Sequence, residues 1–123
     1  MHEPQKKVKE FHERYGLVVS DHPDLGSDVG VRILRSNLIA EELAELNAAL
    51  MASDIVEVAD ALGDLLYVVY GAAVSFGIDL EPVFDEIHRS NLTKDGGGHR
   101  GDGKVVKGPD YEAPRLKEIL GVQ

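Results

Sequence analysis

The chain has 123 residues, 43% hydrophobic and 28% charged, a balance that excludes a disordered polypeptide and allows one hydrophobic core. It has no Cys, which excludes disulfide scaffolds, zinc fingers and thiol chemistry, so any metal must be held by oxygen or imidazole. A net charge of −9 argues against duplex nucleic acid as a partner, while leaving room for a small phosphorylated ligand approached through metal ions.

The opening MHEPQKKVKE is polar and lacks the apolar stretch of a signal peptide. The longest uncharged apolar run, Leu65 to Val74, is too short to span a bilayer, so a cytoplasmic protein with no membrane association is expected. Val8, Phe11 and Tyr15 recur at helical spacing before Gly16 and predict a first amphipathic helix. Leu17 to Asp28, with Pro23 and Gly26, reads as a surface loop. A second helix is expected from about Val29 to Met51, and a break at Ala52-Ser53-Asp54 leads into a third, Ile55 to Phe76, apolar on nearly all sides. Gly77 ends it, Asp79 suits an N-cap, and Val83, Phe84 and Ile87 supply the buried side of a fourth helix that stops near Ser90. Gly96-Gly97-Gly98 and Gly101-Asp102-Gly103 mark a flexible segment, with a small hairpin placing Lys104 and Lys107 on its returning arm, and a short helix is expected from Pro114 to Leu120. The expected architecture is all-α: one domain over 1–123, a four-helix bundle with its helical core at about 29–94 and a glycine-rich basic tail at about 95–123. So apolar a third helix also predicts assembly as a homodimer or higher oligomer.

Between Ser36 and His88 there is no Lys or Arg, yet eleven acidic residues occur, half of the chain's 22. Asp54, Asp79 and Glu81 suit helix starts, and Asp85 and Glu86 suit solvent. The other six are harder to dismiss. At about 100° per residue Glu45 projects roughly 20° from Leu34, and Glu42 falls between Leu38 and Leu46, inside an apolar stripe. Glu57, Asp60 and Asp64 follow i, i+3, i+7 and form one polar seam on an otherwise apolar helix. Ionised carboxylates so placed repel one another and lose hydration unless a cation compensates them, and no basic side chain is near in sequence. Carboxylates from two facing helices suit hard divalent cations, Mg²⁺ or Mn²⁺, that keep positions open for substrate phosphates. The plainer alternative is that Glu57 completes a capping box with Asp54 and the rest face water.

The arrangement Glu41-Glu42-x-x-Glu45, then Glu57-x-x-Asp60 and Asp64-Leu65-Leu66-Tyr67, resembles the all-α NTP pyrophosphohydrolase superfamily, which includes MazG, phosphoribosyl-ATP pyrophosphohydrolase and dimeric dUTPases. Residues 63–94, with HRSNLTK, and 102–111, DGKVVKGPDY, are most similar to the MazG-like branch known from a Deinococcus dUTP pyrophosphohydrolase. One departure stands out: where the family places Glu three residues before the Asp of the Asp-Leu-Leu-Tyr stretch, this chain has Ala61.

The resemblance implies a house-cleaning hydrolase that cleaves between the α- and β-phosphates of dUTP or a related nucleotide, giving a nucleoside monophosphate and pyrophosphate. It implies Glu42, Glu45, Asp60 and Asp64 as ligands of Mg²⁺ or Mn²⁺, Glu57 as a further one, and Glu41 as a second metal ligand or the group orienting the attacking water. Arg89, Asn91 and Lys94, with Lys104 and Lys107, are the expected phosphate-binding residues. Two rivals stand beside this reading: phosphoribosyl-ATP or another nucleotide as substrate, and a non-catalytic, metal-binding helical dimerisation module.

Overall fold

The computed structural model describes residues 1–123 and contains five helices and no strand: α1 (Glu3–Tyr15), α2 (Val29–Met51), α3 (Ile55–Phe76), α4 (Leu80–Asn91) and α5 (Leu116–Leu120). The all-α class and the bounds of α2 and α3 are those read from the sequence. The chain divides into two compact units, Met1–Leu80 and Glu81–Gln123. No single helix is long and apolar enough to cross a membrane.

In the first unit α3 packs on both α1 and α2. The connection from α2 to α3 is three residues long. Ser53 takes a left-handed conformation (φ 55), and the Asp54 carboxylate accepts from the N–H groups of Val56 and Glu57 at 3.1 and 3.2 Å, capping α3. Asp28 caps α2 in the same way, accepting from Gly30 N–H at 2.8 Å. So short a connection returns α3 antiparallel along α2. Arg35 lies against Gly71, and Glu42 lies beside Asp64, so seven residues forward on α2 meet seven residues back on α3. Seven residues bring a helix back to within about 20° of the same azimuth, which makes these layers part of one continuous seam.

Polar groups occupy much of the first unit's interior. A Cβ on Gly71 would come within 2.7 Å of Arg35 Nη1 and 3.3 Å of His12 Nε2, so only glycine leaves both side chains their places. His12 Nδ1 lies 2.9 Å from the Val18 carbonyl, which fixes the proton there, and burial with the nearby Arg35 charge holds the imidazole below its ordinary pKa. Gln5, 1% exposed, donates to the Ile78 carbonyl at 2.6 Å and accepts from Leu80 N–H at 3.0 Å. That second bond satisfies the first N–H of α4, beside Asp79, whose carboxylate lies 3.4 Å from the N-terminal ammonium. The buried face of α1 is therefore Gln5, Val8 and His12, while Phe11 and Tyr15 are 40% and 60% exposed. The apolar spacing identified the helix but not its inner face, because the buried polar residues find backbone partners that the sequence does not display.

The loop before α2 is laced to the end of α3. Ser20 N–H donates to Val74 O at 3.1 Å, Ser20 Oγ to Ser75 O at 2.9 Å, Ser75 Oγ to Val18 O at 3.0 Å and Asp24 N–H to Phe76 O at 3.0 Å. Gly77 closes α3 in the left-handed region (φ 67), and a side chain there would also collide with the His22 backbone.

In the second unit α4 buries Val83 and Ser90. Ser90 Oγ donates to the Glu112 carbonyl at 2.7 Å, and Thr93 Oγ1 accepts from Glu112 N–H at 2.9 Å, tying the tail to the end of the helix. The hairpin expected around Gly101-Asp102-Gly103 is present as a minimal one, a single antiparallel bridge between His99 and Val105. Arg100 N–H donates to Lys104 O at 2.7 Å and Gly103 N–H to Arg100 O at 2.8 Å. At its base, side chains on Gly97 and Gly108 would meet the backbones of Val106 and Asp95, so glycine permits the two arms to close into a clip.

Large apolar side chains remain on the surface of both central helices: Ile33, Leu34, Leu43 and Leu50 on α2, and Ile55, Leu62 and Leu66 on α3. The third helix is thus central to the first unit without being covered by it. Replacing Gly77 by Ala should cost about 1–3 kcal/mol, from a strained left-handed residue and the displaced His22 backbone. A lowered urea midpoint is expected, and an unchanged midpoint would show that the lacing does not depend on this glycine.

Candidate metal centre and phosphate-binding residues

Glu42 and Glu45 project from one turn of α2, and the antiparallel register brings Asp64 of α3 opposite them. One carboxylate oxygen from each of the three lies within 4.8 Å of the other two. Glu42 sits deepest: its Oε2 is fully buried with no hydrogen-bond partner. Desolvation, the adjoining Glu45 carboxylate and the charges of Asp64 and Glu41 raise the Glu42 pKa, because each disfavours the ionised form. No Lys, Arg or His forms an ion pair with any of the three.

The donor set is all oxygen, closely spaced and short of positive charge, which fits a hard divalent cation. A cation bound among these carboxylates would supply the missing partner of Glu42 Oε2 and remove the mutual repulsion.

The remaining acidic candidates lie around this point. Glu57 and Asp60 line a groove together with Glu45, Ala49, Asp54 and Ala61, so the seam continues from the three-carboxylate cluster towards the helical turn. By the register Ala61 stands opposite Glu45, and its methyl is 4% exposed. Glu57 and Asp60 thus line the groove beside Ala61 and lie outside the three-carboxylate cluster. Glu41 is exposed on α2 and acts on Glu42 only through its charge.

The basic candidates belong to the second unit. Arg89 is engaged by carboxylates: its Nε and Nη2 donate to Glu86 at 3.0 and 2.7 Å, and its Nη1 to Glu112 at 3.2 Å. This pairing, with a further bond from Arg115 N–H, pushes the Glu86 pKa down to about 2. Arg89 as placed fastens the tail to α4. Asn91 is the exposed last residue of α4, and its carbonyl accepts from Lys94 N–H at 3.3 Å. Lys94, Lys104 and Lys107 line one open cavity of about 380 Å³, and Lys107 also lies 4.8 Å from the centre of the Tyr111 ring.

Two charged residues of consequence escaped the sequence reading. Arg35 is 5% exposed with an unpartnered Nε. Its one sequence signal is the seven-residue step that puts it on the same face of α2 as Glu42. Arg100 lines the cavity with the three lysines, and the nearby Asp102 in a glycine-flanked turn was the available cue.

A sequence model of the phosphoribosyl-ATP pyrophosphohydrolase family matches residues 8–91, which takes in the later part of α1, all of α2 to α4 and all six carboxylates of the seam and its surroundings. An uncharacterized protein of Acanthamoeba polyphaga mimivirus is 39% identical over 77 residues, covering 60% of this chain and 31% of that protein. The chain spans about a third of the length of this curated relative. The all-helical fold and the carboxylates gathered between α2 and α3 agree with the family match. The chain belongs to the phosphoribosyl-ATP pyrophosphohydrolase family, part of the MazG-like all-α NTP pyrophosphohydrolase superfamily.

Proposed function

We propose that the chain is a Mg²⁺- or Mn²⁺-dependent nucleoside triphosphate pyrophosphohydrolase that splits the bond between the α- and β-phosphates, with dUTP or a related deoxyuridine nucleotide as substrate. The observation that carries the reading is the convergence of Glu42, Glu45 and Asp64 around a buried, unpartnered carboxylate oxygen. The likeness of residues 63–94 and 102–111 to the dUTP-hydrolysing branch supports the substrate. Phosphoribosyl-ATP is the second reading, favoured by the family whose description matches residues 8–91.

Glu42, Glu45 and Asp64 would hold the first cation, and Glu57 and Asp60, which share a groove with Glu45, would complete or extend the site. A bound divalent cation supplies charge neutralisation for the phosphates and acidifies water. Glu41 is exposed beside the cluster and suits the role of base. It would accept a proton as water oxygen bonds to the α-phosphorus and the bond from that phosphorus to the bridging oxygen breaks, the electron pair leaving with pyrophosphate. Asn91, Lys94, Lys104 and Lys107 would bind phosphate oxygens, and Arg89 would hold the tail that carries the two hairpin lysines. We place the enzyme in the cytoplasm, with no duplex nucleic acid and no membrane as a partner. A homodimer is proposed from the uncovered apolar side chains of α2 and α3, since burying them against a second copy removes that surface from water.

Three outcomes are expected. In a panel of nucleotides with Mg²⁺ or Mn²⁺, phosphorus NMR should record pyrophosphate as the first inorganic product and dUTP as a preferred substrate. Orthophosphate as the first product would contradict the cleavage site, and preference for phosphoribosyl-ATP would select the second reading. Asp64→Asn should lower turnover at least about a hundredfold. Light scattering at micromolar concentration should give twice the chain mass or more, and a stable monomer would exclude the dimer.

The crowded carboxylates also predict a pH dependence. A carboxyl whose pKa is raised by folding binds its proton more tightly in the native state, so stability falls as pH rises through the interval above the ordinary value. Metal-free protein should therefore lose melting temperature as pH rises above about 4, Glu42→Gln should lose less, and added Mg²⁺ should abolish the difference or reverse it. Parallel curves for the two proteins without metal would mean that Glu42 is not strained by its neighbours.

A further inference from the structure

The glycine clip carries a charge arrangement that the metal centre does not require. Four cations, Lys94, Arg100, Lys104 and Lys107, line its cavity with Val105 and Val106, and no acidic side chain is among the lining residues. Asp and Glu outnumber Lys and Arg more than two to one in residues 1–80 but nearly balance them in residues 81–123, so gathering four cations around one opening is a local feature of the second unit. Asp102 pairs with Arg100, and the lysines around the same opening still repel one another unless a further anion lies among them.

Arg100 is held in place. Its Nε and Nη2 donate to the two oxygens of Asp102 at 3.0 and 2.7 Å, and the same carboxylate accepts from Lys104 N–H at 3.2 Å, which closes the turn. Asp102 thus fixes the guanidinium by one edge and leaves the Nη1 edge without a partner. Of its five N–H donors two are spent on Asp102, and the others are presented in the planar geometry that suits phosphate oxygens. The base of the clip is fixed by the close approach that Gly97 and Gly108 allow, so the cationic groups are set on a defined backbone.

We propose that the clip is a metal-independent binding site for a short oligophosphate, such as pyrophosphate or the terminal phosphates of a nucleoside triphosphate, with Arg100 as a further anchor beside Lys94, Lys104 and Lys107. The identity of the ligand rests on the pyrophosphohydrolase reading, but the anion site does not. A cavity of about 380 Å³ has room for two or three linked phosphates and is too open to hold a single ion by shape alone.

Calorimetry of the full chain with inorganic pyrophosphate and with tripolyphosphate, in excess EDTA and at physiological salt, tests the proposal. One molecule should bind per chain. Arg100→Ala should weaken binding about tenfold, and Lys104→Gln should weaken it comparably. Lys117→Ala, on α5 and outside the cavity, should leave it unchanged. Arg100→Lys keeps the charge but not the planar fork, and should fall between the parent and Arg100→Ala, while melting temperatures report whether each variant still folds. Asp64→Asn should bind oligophosphate as the parent does even where turnover is lost, which separates failure of the metal centre from failure of the clip. In the turnover assay a raised KM with kcat preserved in Arg100→Ala would assign the clip to the substrate's terminal phosphates, and weakened inhibition by pyrophosphate alone would assign it to the released product. No measurable binding by the parent, or equal weakening by Lys117→Ala and Arg100→Ala, would overturn the site.

Discussion

Holding three carboxylates within 4.8 Å of one another, one of them with a fully buried oxygen, is the constraint around which the first unit is built. Solvated acids would move apart. Here Glu42 and Glu45 belong to one turn of α2, and the three-residue connection and the register it imposes place Asp64 opposite them. The free energy of the fold therefore contains a local repulsion, visible in the raised pKa of Glu42, which the helix pairing overcomes. A site of this kind favours whatever brings positive charge into it. Affinity for a cation, as proposed above, would then be prepared by the packing rather than created on binding, as preorganisation requires.

The same seam has a second charged layer two turns away. Arg35 and His12 crowd over Gly71, and the guanidinium is buried without a carboxylate partner. Desolvation lowers its pKa, yet an arginine keeps its proton, so the layer retains a positive charge. Gly71 gives the guanidinium a place of its own, and His12 is kept neutral against it by its bond to Val18. The apolar stripes of α2 and α3 meanwhile lie partly on the surface.

Much of this was legible in the sequence. The bounds of α2 and α3, the polar connection between them and the placement of Glu42, Glu45 and Asp64 on facing helices follow from periodicity and from the residues that end helices. The i, i+3, i+7 line of Glu57, Asp60 and Asp64 was legible too, but periodicity along one helix says nothing of where the partner helix lies, and only Asp64 reaches the cluster. Gln5, His12 and Arg35 were not legible as interior residues. Their burial depends on the carbonyls of Ile78 and Val18 and on the missing side chain of Gly71, all distant in sequence. Arg89 was read by its residue type, whereas Glu86 at i−3 and Glu112 in the tail claim its donors. Arg100 was not singled out in the sequence, although Asp102 two positions on is the group that orients it.

Direct titration of the metal-free chain with Mn²⁺, followed by electron paramagnetic resonance of the free ion, tests the central claim without recourse to turnover. The account predicts at least one saturable site per chain that Asp64→Asn and Glu42→Gln each weaken tenfold or more, while Asp85→Asn, on the exposed face of α4, leaves it unchanged. Equal Mn²⁺ binding by all four proteins, or none by the parent, would contradict it and return the carboxylate seam to a purely structural role.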